Sequence, residues 1–399
     1  MTEAGISEAT YTLPPRAAGI QRLAAGVGVA GLALCAVGYA ASHEQFFRSY
    51  LMAYVFWSSV ALGSLAWLMV QHLSGGAWGV VSRRVFEAAS RTLPFMAVLF
   101  VPLLFGLHEL YLWARPEVVA EDPALQFKST YLNVPFFVVR AVLYFVIWSA
   151  LAWTLSAWSL RQDREPDQAL TLRMQRLSGG GLVIYAITVL FMSVDWMMSI
   201  DPHWFSTIYG ILFMGGQGLV AMAFTIAVLV LLSRSEPMSR VIGPSHLHDL
   251  GKLLLAFVML WAYFNFSQFL IIWSGNLPEE IPWYLVRLRG GWEWVSVLLV
   301  VGHFALPFLL LLNRDLKRTS TTVAAIAVLI IVMRLVDVFW LLGPEHGQEL
   351  VSVHWLDIVA PVALGGIWIA LFLWQLGTRP LLPLGEPTLD EAIAQGRHH

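Results

Sequence analysis

Residues 180–204 read GGLVIYAITVLFMSVDWMMSIDPHW. The opening run is apolar and, continued through Ile200, long enough to cross a bilayer as a helix. Asp195 and Asp201 bracket its last turns, and Pro202–His203–Trp204 closes it. A carboxylate at the centre of a membrane helix costs about 2.5–3.5 kcal/mol on insertion scales, so Asp195 needs either a partner or a task. The rest of the chain agrees with the membrane reading. It has 399 residues, 58% of them hydrophobic and only 13% charged, with a mean hydropathy of +0.69. A soluble chain of this length needs far more polar surface, so the class is polytopic membrane protein. Eighteen Trp suit aromatic belts at two interfaces. Cys35 is the sole cysteine, which excludes internal disulfides, a self-contained iron–sulfur cluster and CxxCH haem attachment.

Apolar segments of spanning length occur ten times, near 17–41, 46–73, 92–113, 134–160, 181–200, 207–233, 250–274, 292–313, 319–343 and 355–376. Between them, SGGAWG (74–79), RQDREPDQ (161–168), SRSEPMSR (233–240), NLPEEIP (276–282) and NRDLKR (313–318) read as loops or helix ends. The first sixteen residues are polar and lead into a full-length span, so no cleavable signal peptide is expected. Seventeen of the 24 Lys and Arg fall on the side of the N-terminus, five on the other side, and Arg140 and Arg334 inside spans. The positive-inside rule then predicts that both termini are cytoplasmic. The outer loops lean acidic, with Glu44, Glu109, Glu117, Glu121, Asp122, Asp201, Glu279, Glu280, Glu345 and Glu349. These are solvated loop charges or a docking face for an extramembrane partner.

The fifth span ends LFMSVDWMMSIDPH and the ninth IVMRLVDVFWLLGPEH, each with Val-Asp about two turns before a Pro and a His. The third ends FGLHELYLW (105–113) and the seventh FNFSQFLIIW (264–273). The offset of four spans predicts an all-α polytopic protein with ten transmembrane helices in two parallel four-helix bundles, plus one flanking helix at each end. The divisions are a tail 1–16, a flanking helix 17–41, a first bundle 46–200, a second bundle 207–343, a flanking helix 355–376 and a tail 377–399.

Tyr185, Thr188, Met192, Asp195 and Ser199 share one helical face, a polar stripe that should turn toward a bundle interior. Asp195 lies about 10 Å below Pro202 along the helix, and Arg140 a similar distance below Asn133 on the antiparallel fourth span, so the two can meet. In the second half, Arg334 and Asp337 are i, i+3 neighbours. Glu293, Ser296, His303 and Pro307 share a face of the eighth span, with His303 near the bilayer midplane. Buried ion pairs and a satisfied core histidine are the plain alternatives to a proton path through Asp195, Arg140, Tyr185, Thr188, His303, Glu293, Arg334 and Asp337. Tyr263, Ser267 and Gln268 occupy ground in the seventh span comparable to His108–Glu109 in the third, and Gln71–His72 read as an interface anchor. With one midplane histidine, bis-histidine haem is not expected. No His/Cys/carboxylate set has metal-ligand spacing, and neither a phosphate loop nor a nucleophile elbow is present. What remains is proton chemistry without a redox cofactor, fitting a quinol head group, a pump or a transporter.

The stretch SVDWMMSIDPHWFSTIYG, the FGLHELYLW end, the RGGWEW start of the eighth span and the ten-span plan resemble the polysulfide-reductase/NrfD-type membrane subunits. Within that family the resemblance is to those of bacterial alternative complex III, a quinol:cytochrome c or high-potential-acceptor oxidoreductase. It extends over nearly the whole chain. The resemblance implies a respiratory subunit in the bacterial inner membrane, with a sister subunit of the same fold, a periplasmic iron–sulfur subunit and multihaem cytochromes c as partners. It implies lipids around the chain, no nucleic acid, and no cofactor held by this chain alone apart from a quinone or menaquinone. A quinone would sit near the outer end of the first bundle, lined by His108, Asp195 and Arg140 with Tyr131 and Asp201 near the mouth, unless Trp113 or Phe137 plugs that space. Three readings follow: a proton-path and scaffold subunit, a direct quinol-oxidising subunit, and an independent proton-coupled secondary transporter.

Overall fold

The computed structural model describes residues 11–347 and 350–397. The first ten residues of the N-terminal tail, Glu349 and the side chain of Arg397 lie outside the described set. Every regular element described is helical, and ten helices are long and apolar enough to cross a membrane. They are α1 (Arg16–Ala41), α2 (His43–Ser74), α3 (Ala77–Phe105), α4 (Val134–Arg164), α5 (Gln168–Ile200), α6 (Tyr209–Leu232), α7 (Pro244–Gly275), α8 (Trp292–Leu312), α9 (Ser320–Leu342) and α10 (Leu356–Gly377). In hydrocarbon every backbone polar group must be satisfied within the chain, and helices do this segment by segment. The protein is a multi-pass helical membrane protein.

Local signals set several ends. Asn133 caps α4 by accepting from Phe136 N at 2.9 Å, and Asp167 caps α5 by accepting from Ala169 N at 2.8 Å. Pro244 opens α7 at its first position, where its missing N–H costs nothing.

Several boundaries differ from the sequence reading. The third span begins at Ala77 rather than 92, so only Gly75 and Gly76 of SGGAWG are loop. It bends at Arg91–Thr92 and ends at Phe105, and the HELYLW stretch beyond Gly106 is a short helix, Leu107–Leu110, followed by a turn. The fifth span begins at Gln168 and the seventh at Pro244, because charged and polar first turns can extend past the apolar window.

α2 and α6 form the centre, 83% and 78% buried over their apolar windows against 22% for α1 and for α7. α2 packs on α3, α5, α6 and α10, while α6 packs on α5, α7 and α9. α4 closes the first group against α3 and α5, and α8 closes the second against α7 and α9. Small residues set the closest approaches, as between membrane helices in general. A side chain at Gly63 of α2 would run into the Gln217 carbonyl and Ala221 of α6. α1 lies on α10 through Gly28, Gly31 and Gly366, and α10 in turn docks on α2, with Trp57 Nε1 donating to Pro361 O at 2.9 Å.

The segment after α10 folds back onto the same end of the bundle as the N-terminus. His246 of α7 meets the Ala392 carbonyl at 2.9 Å, and Leu381 N donates to Tyr11 O at 2.8 Å. There the basic residues of α3 are buried rather than in a loop. Arg84 pairs with Glu87 at 2.6 Å and with Asp163, Arg379 reaches Glu87 at 3.3 Å, and Arg83 reaches Glu386 at 2.7 Å. Gln71 accepts from Arg83 at 3.0 Å and His72 meets Ser178 at 3.1 Å, so this pair is interhelical packing rather than an interface anchor.

Candidate functional site: two buried carboxylate centres

The polar stripe of α5 turns inward. Arg140 grips Asp195 with two hydrogen bonds, Nε to Oδ2 and Nη2 to Oδ1, both 2.9 Å. This is the fork geometry that matches a planar guanidinium to a carboxylate. Tyr144, one turn along α4 from Arg140, donates to Asp195 Oδ2 at 2.7 Å. The guanidinium also donates to the Tyr131 carbonyl at 2.9 Å and packs against both the Tyr131 and Phe136 rings, 3.9 and 4.3 Å from their centroids. Asp195 is 1% exposed. Its charge is therefore balanced inside the protein by one cation and a hydroxyl.

Further down α5, Trp148 Nε1 donates to Thr188 Oγ1 at 2.9 Å, and the Tyr185 hydroxyl donates to Gln217 Oε1 of α6 at 2.5 Å. Beyond Trp196 the α-helix tightens into a 3₁₀ turn, Met198–Ile200, with Ser199 Oγ donating to the Asp195 carbonyl at 2.7 Å. Asp201 is half-exposed and accepts from His203 N at 3.0 Å.

The quinone region implied by the resemblance divides in two. On the His108 side, Trp113 and Phe137 are 4% and 1% exposed, their rings 5.3 Å apart, continuous with Tyr111, Phe100 and Trp196. This aromatic packing fills the space. The His108 side chain is exposed and joins neither the Asp195 cluster nor its pocket. On the Tyr131 side a pocket of about 430 Å³ lies between the 127–132 turn and the end of α5, lined by Lys128, Tyr131, Val194, Ser199 and Trp204 among others. The Tyr131 hydroxyl is buried with no hydrogen-bond partner. Burial, with the Asp195 carboxylate nearby, pushes its ionisation up, so it stays a neutral phenol.

The second half holds a similar centre built differently. Asp337 and Arg334 of α9 pair within one helix, and Trp261 Nε1 of α7 donates to Asp337 Oδ2 at 3.0 Å. Asp337 and Arg334 are fully buried, and Arg334 faces the Phe213 ring of α6 at 5.4 Å. The arginine thus comes from the carboxylate's own helix here and from a neighbour in the first half. His303 packs edge-on against Trp261, 4.4 Å between centroids, and neither ring nitrogen has a hydrogen-bond partner. It sits in a π-helical segment, Val300–Ala305, a rare form frequently found at functional sites.

That π segment breaks the single face on which Glu293, Ser296, His303 and Pro307 were placed. Glu293 instead accepts from Gly291 N at 2.8 Å and closes the RGG turn, where Gly290 and Gly291 have φ of +68° and +95°. Ser296 accepts from Trp340 Nε1 at 2.8 Å. Neither joins His303. In α7, Gln268 is buried, and its Oε1 lies 3.4 Å from the Ser206 hydroxyl that donates to it, whereas Tyr263 is 63% exposed.

α6 touches both halves through adjacent residues. Gln217 accepts from Tyr185 on one side, and Gly216 leaves the space that the Arg334 guanidinium occupies on the other. Gln217 is the only amide in an apolar helix, a signal the sequence carried. Tyr144, at i+4 from Arg140, was equally legible. Trp261 carried none, since one Trp among eighteen does not announce a carboxylate. Among the described residues, no three His, Cys, Asp or Glu converge as metal ligands.

Fold and site together define a ten-helix membrane protein with a buried carboxylate–arginine centre in each half. No protein-family model matches the chain, and no curated protein matches it.

Proposed function

We propose that the chain is a proton-handling and scaffolding subunit of a respiratory quinol:cytochrome c, or other high-potential-acceptor, oxidoreductase of the alternative complex III type, in the place of its ActF subunit. In this reading it lies in the bacterial inner membrane with both termini cytoplasmic, beside a sister subunit, an iron–sulfur subunit and multihaem cytochromes c. The observation that carries the proton role is the pairing of Asp195 with Arg140 and of Asp337 with Arg334, one buried pair in each half. Ionisable groups inside a membrane are costly and are retained for pathways and relays. Asp195 and Asp337 are the groups that gain and lose the proton, Tyr144, Tyr185 and Thr188 are hydroxyl steps, and the arginines hold each carboxylate in place.

The test is Asp195→Asn and Asp337→Asn in the intact complex. The amide keeps the shape and cannot carry a proton. The expected result is at least tenfold lower quinol turnover or proton release with haem-bearing partners still co-purifying. Normal turnover and proton stoichiometry in both variants overturn the proposal, and a chain that always purifies alone supports a secondary transporter instead.

The pocket beside Tyr131 favours a second reading, direct quinol binding in the first half. There the unpaired Tyr131 hydroxyl would meet the head group, while Arg140 holds Asp195 behind it.

A further inference from the structure

At the end of the bundle that carries the termini, basic residues gather where α7 and α8 leave the membrane. α7 has no Asp, Glu, Lys or Arg after Lys252, and α8 has none from Trp294 to Leu312. Lys252 and Arg314 are thus the first charges beyond two long apolar surfaces. The short helix Arg314–Arg318 packs on α7. Its Lys317 lays its stem on Gly251, where a Cβ would come within 2.9 Å of Lys317 Cγ. Lys252, Lys317 and Arg314 all lie within electrostatic reach of His248, one turn earlier on α7.

Lys317 is 7% exposed, yet among the described residues no hydrogen bond or ion pair reaches its ammonium, which is not sealed from the surface. Burial, with Lys252 nearby, pushes its ionisation down, and a counter-anion would offset both effects. Asp249 is the only carboxylate that pairs with any of the three cations among the described residues. It accepts from Lys252 Nζ at 3.1 Å, and its other oxygen accepts from Gln395 Nε2 at 3.3 Å. Asp315, in the loop itself, is exposed and pairs with none of them. The excess charge is positive, and an ammonium held in place binds phosphate as a point charge.

The surroundings say what carries the phosphate. Lys252, Ala256, Met259 and Tyr263 follow one exposed face of α7 at i, i+4, i+7 and i+11, and Leu312, Leu309 and Leu306 are exposed on α8 beside it. Acyl chains fit that apolar surface, which offers nothing to a soluble phosphate. Basic clusters at the ends of membrane helices attract anionic lipid head groups. We propose that Lys252, Lys317 and Arg314 bind the phosphate of an anionic phospholipid, its acyl chains lying along α7 and α8 past Met259 and Leu309. The site is independent of the respiratory reading above.

The experiment photolabels the full chain, in maltoside micelles, with phosphatidylglycerol carrying a diazirine in one acyl chain. Label is expected on peptides covering 253–263 and 304–312. In Lys252→Gln/Lys317→Gln it should fall at least fivefold there. Label in the apolar groove between α3 and α4, lined by Val101 and Val142, should stay constant and report an intact fold. Arg314 is exposed and packs no stem, so Arg314→Gln tests the charge alone and should lower the label at least twofold. Unlabelled phosphatidylglycerol should compete at least tenfold better than phosphatidylcholine, which has the same phosphate but no net charge. Millimolar inorganic phosphate should leave the label in place. The proposal is overturned if these peptides do not label, if Arg314→Gln labels as well as the parent, or if phosphatidylcholine competes equally. Displacement by inorganic phosphate also overturns it, and assigns the cluster to a soluble anion.

Discussion

Among the described residues Asp195 and Arg140 are each other's only charged partner, so removing one leaves the other buried without a counter-charge. Asp195→Ala is expected to cost about 3–5 kcal/mol, the usual penalty for breaking a buried pair from one side. The double variant Asp195→Leu/Arg140→Met is expected to lose much less than the two single losses summed, because no charge is left uncompensated. Unfolding free energies in mixed detergent micelles give this cycle. Additive losses would mean that the pair does not hold α4 to α5. This contact was legible in the sequence because both residues can be counted down from a visible helix end, Asn133 for one and Pro202 for the other. Glu293 was misplaced for a related reason. It sits so close to its helix start that the Gly291 amide captures it, a local bond that a face-by-face count does not weigh.

At the scale of elements, apolar segment length found the ten helices of spanning length among the described residues, since length and apolarity are the whole requirement for spanning. It missed where α3 starts, because Arg83, Arg84 and Glu87 look like loop charges until Asp163, Arg379 and Glu386 are brought to them from distant parts of the chain. The π segment of α8 was also invisible: it is a change of hydrogen-bond partner, with no distinctive residue beyond Gly302 and Pro307 nearby. The α1–α10 contact is sensitive to a single change. Gly366 faces Gly28 N and the Ala24 carbonyl, leaving no room for a side chain. Gly366→Leu is expected to separate α1 from α10 while the other eight helices stay packed, read as faster proteolysis around residues 42–43 with little change in unfolding of the remainder. An unchanged cleavage rate would show that the helices can slide to accommodate Leu.

Across the molecule, the end opposite the termini is held by loop-to-loop ties rather than by a long helix. Asp122 caps Pro123–Lys128 by accepting from Ala124 N at 2.9 Å and Leu125 N at 3.3 Å, and its Oδ2 meets His203 Nε2 at 2.6 Å. The His203 hydrogen bond, with those two amides, holds the Asp122 carboxyl below the usual aspartate range. A depressed acid stabilises fully above its unfolded value and loses that contribution as pH falls through its folded value. Protection of the Ala124 and Leu125 amides, their exchange measured against the intrinsic rate at each pH, is therefore expected to stay constant from neutral pH down to about 4, the ordinary aspartate value, and to fall only below it. In Asp122→Ala both amides should exchange fast at every pH, and early loss of protection in the parent protein would rule the carboxylate out as the tie. The central contact of α2 with α6 has a different consequence, for where the polypeptide can be divided. Counting by fours places the seam before α6, yet Gly63 leaves no room for a side chain against the Gln217 backbone. A break in the 201–208 loop would strip α2 of its broadest cover, whereas one at 233–240 keeps that interface on a single fragment. The natural point for permuted termini or a two-piece reconstitution is thus after the sixth helix, one helix later than the repeat in the sequence suggests.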